Sequence, residues 1–342
     1  MKPIELAESG RLPDWMVRLG IRRLLKRRLA QEFDRDPMRR AERAQAMIDE
    51  LRESAVAIET EAANEQHYEV PAAFYQLALG QRLKYSSGYW PAGINDLDGA
   101  EEAMLEATCR HAELADGQRI LELGCGWGSL TLWMAAAYPD SQITAVSNSA
   151  SQRAHIEAQA ADRGLNNIKV LTRDVNTLTL DERFDRVVSV EMFEHVRNYR
   201  ELMKRIAGWL RPHGKLFVHI FCHRYLLYPF ETEGEGNWMG RYFFTGGLMP
   251  AADTLLHFQD DLALESRRLY SGHHYARTAR AWLDNMDRRQ LQVAEVMRSA
   301  YGEHDAARWQ QRWRMFFMAC EELFAFDDGN AWLVAHYRFQ RR

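Results

Sequence analysis

An apolar run that closes on an acid and then on alternating glycines, Ile120-Leu-Glu-Leu-Gly-Cys-Gly-Trp-Gly-Ser129, leaves this chain few folds to choose from. A buried strand that stops at a glycine-rich turn and restarts as a helix brings bare backbone up to a ligand in α/β proteins. A Cβ would block that approach, and such turns need positive φ. Leu130 to Tyr138 supplies the helix, in good helix formers bounded by Pro139.

The spacing narrows the ligand. A dinucleotide loop reads Gly-x-Gly-x-x-Gly, but the position that pattern wants as glycine is Ser129. Here the third glycine comes one residue early and Glu122 stands two residues before the first. That version, E-x-G-x-G-x-G, resembles the S-adenosylmethionine loop of Rossmann-like methyltransferases. It marks Glu122, Gly124, Gly126 and Gly128 as cofactor-binding candidates. Taken alone, it leaves open a loop without ligand or one that holds a nucleotide.

Composition removes other classes. The 342 residues are 46% hydrophobic and 27% charged, as in a globular protein. A formal charge of -4 disfavours a nucleic-acid partner. No stretch approaches bilayer-spanning length, and the first residues lack a signal-peptide core. Cys109, Cys125, Cys222 and Cys320 form no Cys-x-x-Cys pair, so neither a disulfide framework nor a metal site is expected. A reduced, cytoplasmic compartment fits.

In chain order, residues 1–64 read as a helical extension. Trp15–Ala30 sets Leu and Ile at helical spacing among six Arg and Lys residues. Such a helix either lies on an anionic membrane surface or packs its apolar stripe inward and leaves arginines in water. Pro37 ends one helix, and another runs from Met38 to about Thr60. Residues 65–117 form a lid and cap segment, with aromatic, hydroxyl-rich stretches at Asn64–Tyr75 and Leu83–Pro91. From 118 to 342 strand and helix alternate, the pattern of a doubly wound parallel sheet. Strands are expected at 118–123, 142–147, 167–172, 185–190, 215–222, 262–269 and 331–339. Helices are expected near 129–138, 149–163, 199–211, 277–289 and 303–325, and an aromatic insertion at 223–257.

Ligands of doubly wound sheets sit at the carboxyl ends of strands. The second strand ends without an acid, so Ser147, Asn148 and Gln152 would hold a ribose with neutral hydrogen bonds. Asp174, after the third, could accept from an adenine amino group. Turn and cap roles are the competing reading for each. The fourth strand runs into Glu191-Met-Phe-Glu-His195. If the chain turns helical there, Glu191, Glu194 and His195 share a face. They then read either as helix-start acids with a surface histidine or as a general base. His219, on an apolar strand, is either a hydrogen-bonded core residue or part of the site. A sulfonium activates its own methyl group. What remains for the protein is alignment and proton removal from an acceptor amine, or from the carbocation left by an attacking alkene.

Longer stretches carry a resemblance: ANEQHYEVP, LKYSS, LELGCGWGSL, SVEMFEH, WMGRYFFTGG, HYARTA and WLVAH. From about Asn64 to Arg342 the chain resembles the cyclopropane fatty acid synthase superfamily, and within it the coclaurine N-methyltransferase-like branch more closely. The resemblance implies a class I methyltransferase fold, a seven-stranded mostly parallel sheet with a helical N-terminal cap, binding S-adenosylmethionine and releasing S-adenosylhomocysteine. It implies that Tyr85 and Ser86 reach the cofactor from the lid. Gly124 and Gly126 would meet its amino-acid end, Asn148 and Gln152 its ribose, and Asp174 with Val175 its adenine. Glu191, Glu194 and His195 would line an amine pocket. The lipid enzymes grip a bicarbonate base with Cys, Glu, His and Tyr, whose counterparts are Ser87, Glu194, His219 and Tyr275. The cysteine is missing, and Glu191 stands where those enzymes usually have glycine. The expectation is methylation of a small hydrophobic or aromatic amine, with Glu194 and His195 as base and Glu191 orienting the ammonium. An unsaturated acyl chain is the alternative acceptor, and a non-catalytic cofactor-binding protein the third reading. Peripheral membrane contact and a homodimer stay open.

Overall fold

The computed structural model describes residues 2–58, 70–234 and 236–342. Asn64–Glu69, in the lid stretch, and the expected helix end at Thr60 lie outside the described residues. Seven strands form the central sheet: β1 (Arg119–Leu123), β2 (Gln142–Ser147), β3 (Ile168–Thr172), β4 (Phe184–Val190), β5 (Leu210–His223), β8 (Leu262–Tyr270) and β9 (Trp332–Arg341). Their order is β3-β2-β1-β4-β5-β9-β8, and β9 alone runs opposite to the other six. β6 (Tyr228–Pro229) and β7 (Leu248–Met249) pair as a separate ribbon inside the insertion. The insertion is therefore built structure, and it also carries a short helix.

The helices are α1 (Pro3–Glu8), α2 (Asp14–Glu32), α3 (Pro37–Glu53), α4 (Ala72–Ala78), α5 (Leu97–His111), α6 (Ser129–Ala137), α7 (Ala150–Asp162), α8 (Tyr199–Trp209), α9 (Trp238–Tyr242), α10 (Gly272–Arg288) and α11 (Gln290–Gly329). Side-chain caps start several: Asp96 accepts from Gly99 N, Ser149 from Gln152 N and Asn198 from Glu201 N. Pro37 is the first residue of α3 rather than the end of α2, with Asp36 as its cap. α8 ends at Trp209, and the chain passes straight into β5, five residues earlier than the pattern suggested. α11 is two helices joined across a break at Gly302, φ +74; the second, up to the non-helical Phe326, is the helix expected at 303–325, and the first was not expected.

The cap and the sheet share one core. Phe74, Tyr75, Trp282, Trp313 and Phe317 are buried together beside Phe243 of the insertion. α1 is tied down by a buried ion pair: Arg312 places two nitrogens 3.1 Å from the Glu8 oxygens, and Trp238 Nε1 donates to Glu8 Oε1 at 2.8 Å. Arg18 of α2 bonds Glu321 and Glu322 of α11, while Ile21, Leu25 and Leu29 pack on the core. This is the inward-packed reading of the basic helix, with Trp15, Met16 and Leu19 left outward. Among the described residues no helix is long and apolar enough to cross a membrane.

Candidate active site

Two clefts open at the carboxyl ends of β1, β2 and β4, and they meet. One is bounded by Asn148, Asp174, Val175 and Met192. The other reaches under the lid between Tyr85, Ser86, Glu191, Tyr275 and a wall of Phe221, Phe230, Phe244, Phe316 and Phe324. Gly124, Gly126, Gln152 and His195 line both. A two-part ligand can lie across that junction with one end in each cleft.

The first cleft fits an adenosyl group. Gln152 accepts from Ser147 Oγ at 2.6 Å, but its buried Nε2 has no hydrogen-bond partner among the described residues. Such an orphaned donor calls for a ligand acceptor such as a ribose hydroxyl. Asp174 holds Asn176 N through Oδ1 at 2.6 Å, which fixes the carboxylate at the cleft edge. Glu122 is buried at the end of β1 and accepts from Thr131 Oγ1 at 2.5 Å; burial pushes its carboxyl up to about 8. Gly124, φ +80, passes under Met192 and faces the junction. Gly128 differs from expectation. It lines neither cleft; a Cβ there would stand 2.6 Å from Ile156 Cγ1, so its role is to seat α6 against α7.

Glu191 is the polar centre of the second cleft. Its Oε1 accepts from Ser87 N at 3.0 Å and lies 3.2 Å from His219 Nε2, and its Oε2 accepts from Tyr275 OH at 2.6 Å. Ser87, His219 and Tyr275, which the resemblance pairs with bicarbonate ligands of the lipid enzymes, here hold a side-chain carboxylate. Glu191 takes φ +47, a conformation that costs a non-glycine residue about 1–2 kcal/mol and survives only where the surroundings impose it. Burial raises its carboxyl above the ordinary range, against the pull of Lys84, Tyr275, Ser87 N and His195.

That left-handed residue also breaks the helical face expected of Glu191, Glu194 and His195. Only Phe193–His195 form a single 3₁₀ turn. Glu194 points away from the pocket; it is fully buried and accepts from Phe221 N at 2.9 Å. Burial and the neighbouring Glu191 charge push it well above the carboxylate range. His195 stacks on Phe244 at 5.7 Å, and burial lowers its imidazole to about 4.

Sequence reasoning missed Lys84 and His336. Lys84 is buried, bonds Ser86 Oγ and Ser87 O, and is held at about 8 chiefly by burial, with Glu191 and Glu101 pulling it up. Its position between Leu83 and Tyr85 in the lid motif was the available signal. His336 bonds His219 at 2.9 Å from a strand 117 residues away, and only the register brings the two together. Among the described residues no group of acids, histidines and cysteines could hold a metal.

Comparison with known proteins bears on the family and the fold. The profile of the family described as mycolic acid cyclopropane synthetase matches residues 57–333. An (S)-coclaurine N-methyltransferase from Papaver somniferum is 35% identical over 338 residues, 98% of this chain and 96% of that one. A crystal structure of coclaurine N-methyltransferase bound to N-methylheliamine and S-adenosylhomocysteine superposes with a TM-score of 0.95 at 33% identity, covering 98% of each chain. A cyclopropane synthase from Mycobacterium tuberculosis shares the fold at a TM-score of 0.70 and 20% identity, over 84% of this chain and all of that one.

Proposed function

The chain belongs to the mycolic acid cyclopropane synthetase family and is an S-adenosylmethionine-dependent methyltransferase, and from that premise we propose that it N-methylates a small hydrophobic or aromatic amine. The observation that carries the acceptor is the Glu191 carboxylate, held in the cradle made by Ser87, His219 and Tyr275. A resident acid fills the place a free bicarbonate would need, and it offers an ammonium group an anion. The phenylalanine wall adds apolar contact and aromatic faces that attract a cation.

When bound, the cofactor supplies a methyl group already activated by its sulfonium. The protein's residues do the remaining work. Gly124, Gly126 and Gln152 orient the donor, with Asn148 at the ribose, Asp174 and Val175 at the adenine, and Tyr85 and Ser86 closing from the lid. The phenylalanine wall positions the acceptor nitrogen at the junction beside His195. An ammonium cannot attack until it loses a proton, and Glu191 takes that proton. His195, neutral at physiological pH, is a second acceptor at the junction of the two clefts.

The acceptor is tested by incubating the protein with S-adenosylmethionine and, separately, a panel of secondary and tertiary amines and vesicles of unsaturated phospholipid. Proton NMR is the readout, because both reactions add the same mass. A new N-methyl resonance is expected; loss of olefinic resonances from the vesicles would overturn the amine reading.

Glu194 is assigned a supporting part. As burial favours its neutral form and its Oε1 is taken up by Phe221 N, Glu194→Gln is expected to keep kcat within about threefold. Stability should fall by about 1–3 kcal/mol from the buried amide donors it adds. Parallel kinetics and thermal melts check both; a loss of tenfold or more in kcat would return Glu194 to the role of base.

A further inference from the structure

Glu191 is the inner end of a chain of imidazoles. β5 and β9 pair antiparallel with His219 opposite His336, so both side chains leave the sheet on one face. His219 Nε2 lies 3.2 Å from Glu191 Oε1, His219 Nδ1 lies 2.9 Å from His336 Nε2, and His336 Nδ1 lies 2.9 Å from His111 Nδ1. His111 ends α5, is only half-buried, and has Tyr270 OH 3.4 Å from its Nδ1. His219 and His336 are 0% and 2% exposed, and every nitrogen of these two rings has a partner in the chain. Among the described residues the His111 Nε2 has none, and it is the nitrogen left for water. Apolar side chains would pack this face without any bonds to satisfy. Three imidazoles joined end to end, from a pocket acid to a half-exposed ring, make a more specific arrangement.

We propose that His219, His336 and His111 conduct protons between the Glu191 carboxylate and bulk water while cofactor and acceptor fill the pocket. With Glu191 ionised, the bonds run inward. His111 Nδ1–H donates to His336, His336 Nε2–H to His219, and His219 Nε2–H to the carboxylate. With Glu191 protonated they run outward, from Glu191 O–H to His219 Nε2, His219 Nδ1–H to His336 Nε2, and His336 Nδ1–H to His111 Nδ1, with Nε2–H of His111 facing water. Release is one hop per bond. Glu191 O–H breaks as His219 Nε2–H forms, His219 Nδ1–H breaks as His336 Nε2–H forms, and His336 Nδ1–H breaks as His111 Nδ1–H forms. The His111 Nε2 proton leaves to water or buffer. Each ring ends neutral with its tautomer exchanged, and the same hops reversed reload the acid.

The surroundings suit tautomer exchange and not standing imidazolium. Lys84 faces His219, Arg268 lies opposite His336 in the sheet register, and Arg110, Arg268 and Arg338 surround His111. Burial and these cations hold His219 and His336 well below the ordinary imidazole range and lower His111 to about 4. Lys84, Tyr275, His195, Glu194 and Cys320 are the other titratable groups that face Glu191.

The use of the chain in turnover rests on Glu191 as the base; its existence does not. Nitrogen-15 NMR of histidine-labelled protein saturated with S-adenosylhomocysteine, assigned by single His→Asn variants, reads the tautomers directly. Above the Glu191 titration His219 and His336 should carry hydrogen on Nε2 and His111 on Nδ1. All three should change together as pH falls, and the joint change should vanish in Glu191→Gln. Fixed or independently changing tautomers would overturn the proposal. A joint change in a protein that methylates none of the amines would sustain the chain and sink the proposed function. In kinetics, His111→Ala should lower kcat about tenfold at unchanged KM, and imidazole buffer should restore it in proportion to its concentration. A loss without rescue would make His111 a structural residue, and an unchanged, buffer-independent kcat would dispense with it; either result ends the proposal.

Discussion

Glu191→Gln is expected to lower kcat by about three orders of magnitude while S-adenosylhomocysteine affinity changes by less than about threefold, since general-base catalysis contributes roughly 10²–10⁴. The amide keeps the volume of the carboxyl and an oxygen for Ser87 N and His219. It cannot accept the proton of an ammonium or pair with its charge. The parent should also show an acid limb in kcat/KM. Glu191 works ionised and burial raises its carboxyl, so activity is complete above that raised value. It disappears as pH falls through it, at a pH above the ordinary glutamate value of about 4.3. His195, lowered to about 4, stays neutral over the same range and gives no competing limb at higher pH. Steady-state kinetics across pH with calorimetry of the product complex check both statements. A Glu191→Gln enzyme within threefold of the parent would move the base to His195.

How far the sequence could be read follows from what is local. The glycine loop, the strands on either side of it and the residues of the adenosyl cleft obey short-range rules, and the structure keeps Asn148, Gln152, Asp174 and Val175 along one cleft. Expected strand limits mostly fall within one or two residues of those found; β5 is the exception because Leu210 enters the ladder through an irregular pairing with Phe184. The acids at 191 and 194 could not be sorted that way. A helical period puts them on one face, and nothing about a glutamate announces φ +47. The nearest signal was the usual glycine at the position of Glu191 in the lipid enzymes, which marks backbone that prefers positive φ. His219 stayed undecided on sequence because both of its readings hold: it is a buried, hydrogen-bonded strand residue, and its partner is the pocket carboxylate. Gly128 belongs to the same lesson, since a glycine in a ligand loop can serve helix packing instead.

The second large effect should come from Gly124→Ala. A Cβ at Gly124 would stand 2.7 Å from Met192 Cβ and 2.8 Å from its Cγ, and the φ of +80 is unfavourable for alanine. Met192 cannot rotate its Cβ away, because that atom is fixed by the backbone between Glu191 and Phe193. The turn or the glycine loop must move. Conformational strain of about 1–2 kcal/mol and overpacking of about 1–3 kcal/mol together correspond to roughly thirtyfold or more. That loss should appear in S-adenosylhomocysteine affinity, since the loop meets the donor. It should appear again in kcat at saturating cofactor, since Met192 carries Glu191 with it. Gly126→Ala is the control: φ is +51 there and, among the described residues beyond its two chain neighbours, no atom lies within 4 Å of the added carbon. It should carry the conformational strain of about 1–2 kcal/mol in its melting temperature without any overpacking, and lose affinity only through the space it takes from the ligand. Calorimetric titration and kinetics of the two variants separate the cases. If Gly124→Ala binds product normally and keeps kcat, Met192 does not couple the cofactor loop to the base. The two halves of the site would then be independent, contrary to the geometry in which Gly124 packs directly beneath Met192.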